Sequence, residues 1–247
     1  MVVSVVCSRA NLCLTAKRVK CPRGVYEYMG HNYSVYTHRQ QLPPKEEQEG
    51  VYVVVDVFYF SSSVVRALEN GATTVSAHPD ENSLPRDQGP LFTDIEEIGR
   101  RNHPVQANAF VDEGDDAYFQ SLNGARTVDM ISNDCDVVLG STINAQAVAD
   151  FLEEEYDKSK HIHIVSAGFK GPASEDVVGV SSIFFAASED LLDGINHVEQ
   201  ELLQCAVDSI DDYDERQHGF AKEFSSCSAV PERVDKDGEL HVFENAH

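Results

Sequence analysis

No run of eighteen or more apolar residues occurs in this sequence of 247 residues, so no segment could cross a membrane as a helix. Four familiar motifs are also missing: Gly-x4-Gly-Lys-Ser/Thr, Gly-x-Gly-x-x-Gly, Gly-x-Ser-x-Gly and His-Glu-x-x-His. Their absence argues against the usual P-loop, dinucleotide-binding, α/β-hydrolase and zinc-protease sites. Because the chain opens without a recognisable signal peptide, we expect a cytoplasmic protein.

Basic residues are scarce as well. The chain has 19 Lys plus Arg against 42 Asp plus Glu, which gives a formal net charge of −23. Proteins bind nucleic acid and anionic lipid through Lys and Arg, so this balance argues against both as partners. The acids are spread evenly rather than gathered in a tail. We interpret them as the solvated surface of a halophilic protein, since self-repulsion is screened in molar salt, where the Debye length is about 3 Å.

The first residues differ in composition from the rest of the chain. Residues 1–26 hold five basic residues and no acid, together with Cys7, Cys13 and Cys21. Their spacing lacks the closely paired cysteines of structural zinc sites, and the other cysteines are scattered, as free thiols in a reducing compartment are. We therefore expect residues 1–28 to be a disordered arm or an over-extended reading frame, with Met29 as the natural start.

Two parts of the chain repeat the same order of buried strand, hydroxyl-rich turn, helix and second strand. In the first, residues 51–60 form a β-branched and aromatic run, residues 62–70 a helix and residues 73–77 a strand. In the second, strands at residues 136–140 and 161–168 flank an amphipathic helix. Such β-α-β units predict a parallel sheet with right-handed crossovers. Internal duplication and chance explain the repeat equally well.

The remaining segments are less regular. Residues 29–50 are polar and end in two prolines and an acidic run, which is typical of a connecting arm. Helices are predicted over residues 174–187 and 189–215, and a short strand near the end of the chain. Residues 78–125 are turn-rich and show no clear pattern.

The predicted architecture is a single α/β domain over residues 51–247, preceded by an N-terminal arm over residues 1–50. The domain is expected to be a three-layer α/β/α fold with a mainly parallel sheet built from the repeated β-α-β units.

Three polar turns are predicted at the carboxyl ends of strands, where open parallel sheets bind their ligands. Each precedes a helix start, whose free N–H groups and dipole favour an anion, so we interpret the turns as phosphate-binding. Serines at a helix start are also ordinary caps, so each turn by itself has a purely structural explanation. The candidate residues are Ser61, Ser62, Ser63, Ser141, Thr142, Asn144 and Gly168.

Asp56 is the most informative single residue. It stands within the apolar run VVVDVF, and burying an unpaired carboxylate costs several kcal/mol. A metal ligand or a catalytic group would explain that cost, and a helix cap or a buried ion pair is the simpler alternative.

Three blocks of the sequence resemble the 2-phosphosulfolactate phosphatase (ComB) family. VVVDVFYFSSSVVRALENGATTV is similar to the family's VVIDVLRASTTIVTALANGA, and VVLGSTINAQAVADFL to its VLIGSFLNASAVAEYL. IVSAGFKGPASEDVVGVSSI is similar to IVCAGTEGRFSLEDFLCAGAI, and, more weakly, ARTVDMISN to GKTVVLTTTNGT. The blocks follow the family's order across about residues 51–190.

The resemblance implies a Mg²⁺-dependent phosphatase acting on 2-phosphosulfolactate, a small anionic phosphorylated substrate, as in coenzyme M biosynthesis. Asp56 stands at the family's strand-end aspartate, and Glu175 and Asp176 at its Glu-Asp pair. We therefore take Asp56 and Glu175 as catalytic candidates, and Asp56 and Asp176 as candidate magnesium ligands. A homodimer is left open.

The chain departs from the family at residues that would bind anions. Tyr59 stands where the family has the arginine of VLRA, and residues 91–94 read LFTD where its GGER is expected. Arginine forks are well suited to phosphate and sulfonate. The alternative function is therefore a catalytically inactive paralogue that binds an anionic metabolite or a protein partner.

Overall fold

The computed structural model describes residues 32–95, 99–168, 170–187, 219–237 and 240–246, of which residues 235–237 are described by their backbone alone. It also describes the backbone of the short strands Val6–Ser8, Asn11–Cys13 and Val25–Tyr28 and of His31. The helix predicted over residues 189–215 lies outside the described residues. No helix in the described part of the chain has the length and apolar character needed to cross a membrane.

Thirteen strands and five α-helices make up the described structure. The strands are β1 Val6–Ser8, β2 Asn11–Cys13, β3 Val25–Tyr28, β4 His31–Tyr36, β5 Val51–Val55, β6 Thr74–His78, β7 Leu91–Thr93, β8 Arg100–Arg101, β9 Asp116–Gln120, β10 Asp136–Gly140, β11 His161–Ser166, β12 Pro231–Asp237 and β13 Leu240–Asn245. The helices are α1 Phe60–Glu69, α2 Pro104–Phe110, α3 Gly124–Asp129, α4 Ala145–Glu155 and α5 Ser174–Ala186. The strands and helices predicted for residues 51–77, 136–168 and 174–187 are thus present.

Eleven of these strands form one sheet in the order β3-β4-β11-β5-β10-β12-β13-β6-β9-β7-β8. Six of the ten neighbouring pairs are parallel. Buried β-branched and aromatic residues fill β5, as its sequence predicts for a strand covered on both faces. Val53 and Val55 face α5, so the alternating side chains of Tyr52 and Val54 face the other layer. The predicted three-layer α/β fold with a mainly parallel sheet is confirmed.

The repeated β-α-β unit is found once rather than twice. β10, α4 and β11 form a parallel crossover over the intervening β5, as predicted. β5, α1 and β6 do not, because β10 and the β12–β13 hairpin lie between the two strands. Three successive antiparallel pairings then reverse the direction of β6 relative to β5. The expectation of a parallel crossover in the first unit was wrong because residues far along the chain provide the neighbouring strands.

The segment predicted as a connecting arm contributes to the main sheet. β4 pairs with β11 in parallel, from His161 opposite Asn32 to Val165 opposite Tyr36. Tyr33 is buried in the core of the domain. The predicted separation of this segment from the domain was wrong at β4, because Tyr33 is the one buried residue among the described side chains of that strand and so few apolar positions give a weak sequence signal.

Candidate functional site

The three predicted turns meet at one rim of the sheet. β5, β10 and β11 are adjacent and parallel, with Val55 aligned to both Gly140 and Ser166. The segments that follow these three strands therefore begin at the same level along the strand direction. Since the carboxyl ends of parallel strands share one edge, Asp56, Ser141 and the Gly168 turn are brought together.

Direct hydrogen bonds join the first and second turns. The hydroxyl oxygens of Ser62 and Ser141 lie 2.6 Å apart, and Ser62 Oγ also donates to the carbonyl of Val57. Ser61 Oγ donates to the Val54 carbonyl at 3.1 Å and accepts from the Asp56 N–H. Hydrogen bonds inside the turn thus occupy the predicted phosphate-binding hydroxyls of Ser61 and Ser62. Those hydroxyls would have to rotate before they could donate to a ligand.

Two other candidate hydroxyls have no such partner. Ser63 Oγ and Thr142 Oγ1 are fully buried and make no hydrogen bond to any residue that the structure describes. Ser63 lies in the first turn of α1, and Thr142 opens the short 3-10 helix Thr142–Asn144. A buried hydroxyl without a partner is costly unless a ligand or water completes it. Among the described residues, these two are the members of the predicted set whose hydroxyls are left without a hydrogen-bond partner.

Asn144 holds the second turn together. Its Oδ1 accepts the Ser141 N–H at 2.8 Å, and its Nδ2 donates to the carbonyls of Leu139 and Ala229. The side chain is fully buried and its hydrogen-bonding atoms are all engaged. Its contacts are those of a cap, and contact with phosphate remains a prediction.

Asp176 links the first and third turns. One carboxylate oxygen accepts the Val57 N–H and the other the Gly168 N–H, both at 2.8 Å. Burial raises the pKa of Asp176 to about 7, and the negative charge of Glu175 adds to the rise, although the two backbone donors oppose it. With both oxygens so engaged, Asp176 mainly fixes the position of the two turns.

Three other carboxyl groups act electrostatically on Asp56. It is buried, and this burial, together with the charges of Asp176, Asp94 and Glu175, raises its pKa well above the usual range. The N–H of Phe60 at the start of α1 opposes the shift. Burial also raises the pKa of Glu175. Clustered carboxyls with raised pKa values can hold protons near neutral pH or share a bound cation.

Gly168 allows the third turn to close. Its φ of +61° lies in the left-handed region, and a Cβ there would come within 2.4 Å of the Gly171 carbonyl oxygen and 2.5 Å of His38 Cδ2. Its N–H donates to Asp176 and its carbonyl accepts from Arg39. Its backbone is therefore used within the fold, and the predicted phosphate contact stays a prediction.

Asp94 follows β7 in the segment whose sequence shows no pattern. Its carboxylate accepts from Asn102 Nδ2 at 3.1 Å and from the Leu122 N–H at 2.8 Å. Its charge contributes to the pKa of Asp56, which places it at the same site. The match to the family gave no reason to choose it, because the family's GGER motif is absent there.

Arginines also reach the site from unexpected positions. Arg39 Nη1 donates to the carbonyls of Ala167 and Gly168 at 2.9 and 3.0 Å, and the charges of Asp56 and Asp176 act on its pKa. The Arg101 guanidinium lies 5.5 Å from the ring centre of Tyr59. Basic groups thus lie around the position where the family arginine is missing. Sequence reasoning missed them because one stands in the presumed arm and the other in the unpatterned region.

A family model described as 2-phosphosulpholactate phosphatase matches residues 93–224, more than half of the chain. The matched span includes the second and third turns of the site, and the Asp56 turn precedes it.

Individual relatives carry the same description. A probable 2-phosphosulfolactate phosphatase of Pseudothermotoga lettingae is 26% identical over 204 residues, 76% of this chain and 88% of that protein. One of Gloeothece citriformis is 24% identical over 161 residues, 59% of this chain and 65% of the relative. One of Clostridium perfringens strain SM101 is 29% identical over 140 residues, 51% and 56% respectively. The last two matches span less than two thirds of those relatives' own length.

Proposed function

Because the chain belongs to the 2-phosphosulfolactate phosphatase family, we propose that it hydrolyses a phosphate monoester of a small anionic 2-hydroxy acid. In the finer form of this proposal the substrate is 2-phosphosulfolactate, converted to sulfolactate and phosphate as in coenzyme M biosynthesis. The observation that carries the proposal is the meeting of the three turns, with Ser62 against Ser141 and Asp176 bonded to both Val57 and Gly168.

In this proposal, each part of the arrangement has a role in phosphoryl transfer. Ser63 and Thr142 offer unengaged hydroxyls to phosphoryl oxygens, and the start of α1 adds the dipole of a ten-residue helix. Water attacks phosphorus, the bond to the ester oxygen breaks, and that oxygen takes up a proton. Glu175, whose pKa is raised by burial, is our candidate donor of this proton, and Asp56 is the candidate for positioning or activating the nucleophile.

We propose that a magnesium ion binds at the carboxyl groups around Asp56. Hard divalent cations prefer carboxylate oxygens, and Mg²⁺ is commonly held by one or two of them with water and substrate phosphate. Asp56 is the better ligand, since both oxygens of Asp176 accept backbone N–H groups. Among the described residues, no three His, Cys, Asp or Glu side chains form a ready-made ligand set. When bound, the ion would polarise the phosphoryl oxygens.

The presence of Arg39 and Arg101 favours an active enzyme over the inactive paralogue. The paralogue hypothesis rested on the arginine missing at Tyr59. Guanidinium groups at the same site can offset the charge of a phosphoryl group.

The test is phosphate release by the full chain in molar KCl, with Mg²⁺ or with EDTA, on 2-phosphosulfolactate and related phosphorylated hydroxy acids. We expect Mg²⁺-dependent turnover, reduced at least about 100-fold in Asp56→Asn because an amide can neither activate the nucleophile nor replace a carboxylate as magnesium ligand. Asp134→Asn, which alters an exposed acid away from the rim, is the matched control.

Absence of turnover on every ester would refute the phosphatase and leave the binding paralogue. Equal rates with Mg²⁺ and EDTA would refute the metal requirement alone.

A further inference from the structure

Arg39 and Arg126 belong to two segments that meet beside the Gly168 turn. Arg39 Nη1, which is anchored on the Ala167 and Gly168 carbonyls, also lies 3.4 Å from Asn123 Oδ1. Asn123 is the N-cap of α3, and Arg126 lies three residues further on, on the same side of that helix. Burial lowers the pKa of Arg39, and the charge of Arg126 lowers it further.

Among the residues that the structure describes, Arg126 has no acidic partner that would offset this repulsion. It is exposed and makes no hydrogen bond or ion pair with any residue in the described ranges. The chain has 42 acidic residues and only 19 Lys plus Arg. An arginine without an acidic partner, close to a second arginine, is therefore unusual in this chain. An anion bound between the two would offset the repulsion of their positive charges.

A third polar group next to the same turn lacks a partner. His38 is 6% exposed, and its Nδ1 accepts the Gln40 N–H at 3.3 Å, so a neutral ring carries its hydrogen on Nε2. That Nε2 makes no hydrogen bond within the described structure. It lies beside Gly168, 3.2 Å from where a Cβ would stand. A buried donor without an acceptor calls for one from outside the chain.

We propose that Arg39, Arg126 and His38 form a subsite for the second anionic group of the substrate, a carboxylate or sulfonate, separate from the hydroxyls that face the phosphoryl group. The inference rests on the proposed phosphatase function and specifies its substrate class. Esters that carry an acidic group near the phosphate would be selected over phosphates of simple alcohols, because only the former have a second anionic group to form charge-assisted hydrogen bonds at this subsite.

The kinetic test compares 2-phospholactate with isopropyl phosphate, which has the same carbon skeleton at the ester but no carboxylate. Arg126→Gln should raise KM for 2-phospholactate about 10-fold, the loss of one charged hydrogen bond, and leave KM for isopropyl phosphate unchanged. Arg86→Gln, an exposed arginine in the loop before β7, is the control and should change neither. Equal effects of Arg126→Gln on both esters, or none, would overturn the subsite.

Binding without catalysis separates this inference from the proposed function. Sulfolactate, which has a carboxylate and a sulfonate but no phosphate, is titrated calorimetrically into the full chain and both variants. Binding weakened about 10-fold by Arg126→Gln alone supports the subsite even if no ester is hydrolysed. Ester hydrolysis together with unaltered sulfolactate binding by Arg126→Gln removes the subsite and leaves the phosphatase. No binding by the unaltered chain overturns the subsite as well.

Discussion

At the scale of single residues, the site depends on backbone conformation as much as on side-chain chemistry. Gly168 combines a positive φ with close neighbours on both sides, the Gly171 carbonyl and the His38 ring. Gly114 has a positive φ of +90° as well, but nothing lies within 4 Å of where its Cβ would be. Substituting each of the two glycines therefore distinguishes the energetic cost of a positive φ from the cost of a steric clash.

We predict that Gly168→Ala destabilises the protein by about 2–4 kcal/mol, since backbone strain and a steric clash add together. Gly114→Ala should lower the free energy of unfolding by only about 1 kcal/mol, which is the cost of the left-handed backbone alone. Urea denaturation of both variants measures the difference. Equal decreases in the free energy of unfolding would contradict this prediction, because they would show that the neighbours of Gly168 accommodate the added methyl group without an energetic cost.

At the scale of secondary-structure elements, the turn after β10 is held by one side chain. Asn144 bonds to its own strand through Leu139, to the helix start through Ser141 and to the C-terminal segment through Ala229. It thereby ties α4 to a segment more than eighty residues away in sequence. The strand and helix are predictable locally, but this tie is not.

We predict that Asn144→Ala lowers the free energy of unfolding by about 2–4 kcal/mol, because buried backbone groups at Ser141, Leu139 and Ala229 lose their partner. Gln146→Ala on the same helix, whose amide bonds to the exposed Asp150, should cost less than about 0.5 kcal/mol. Chemical denaturation of the two variants is the measurement. A decrease in the free energy of unfolding of Asn144→Ala as small as that of Gln146→Ala would contradict the prediction and would mean that water replaces the hydrogen bonds of Asn144.

The elements that sequence reasoning found and missed differ in the strength of their periodic signal. The buried run at residues 51–55 and the helix starting near Ser174 stand out by composition. β7, β8 and α3 are short, with two to six residues each, so no period is repeated often enough to be seen.

At the scale of the whole molecule, the sheet contains two groups of parallel strands that run in opposite directions. The first comprises β4, β11, β5 and β10, and the second β6, β9, β7 and β8, with the β12–β13 hairpin between them. In a flat sheet their carboxyl ends would lie on opposite edges. Arg39, which follows β4 in the first group, nevertheless bonds to Asn123, which follows β9 in the second.

The net charge of −23 leads to a prediction for the molecule as a whole. We propose that the protein is adapted to high salt, and expect its thermal midpoint to rise between low and molar KCl. The physical reason is that the Debye length falls from about 10 Å at 0.1 M to about 3 Å at 1 M, which weakens repulsion among the acids.

Thermal unfolding across a KCl series measures this effect. A sucrose series of equal osmolality is the control, since sucrose favours compact states without screening charge. A midpoint that is unchanged or lower in molar KCl would rule out the proposed adaptation.

The sequence by itself determined the class of the fold, the strand-end position of Asp56 and the three polar turns, because strand periodicity, helix caps and acidic excess are local properties. Only the tertiary structure decided that Arg39, Asp94 and Arg126 join them. Their positions depend on strand order and on contacts between segments distant in sequence, neither of which can be seen in a local sequence pattern.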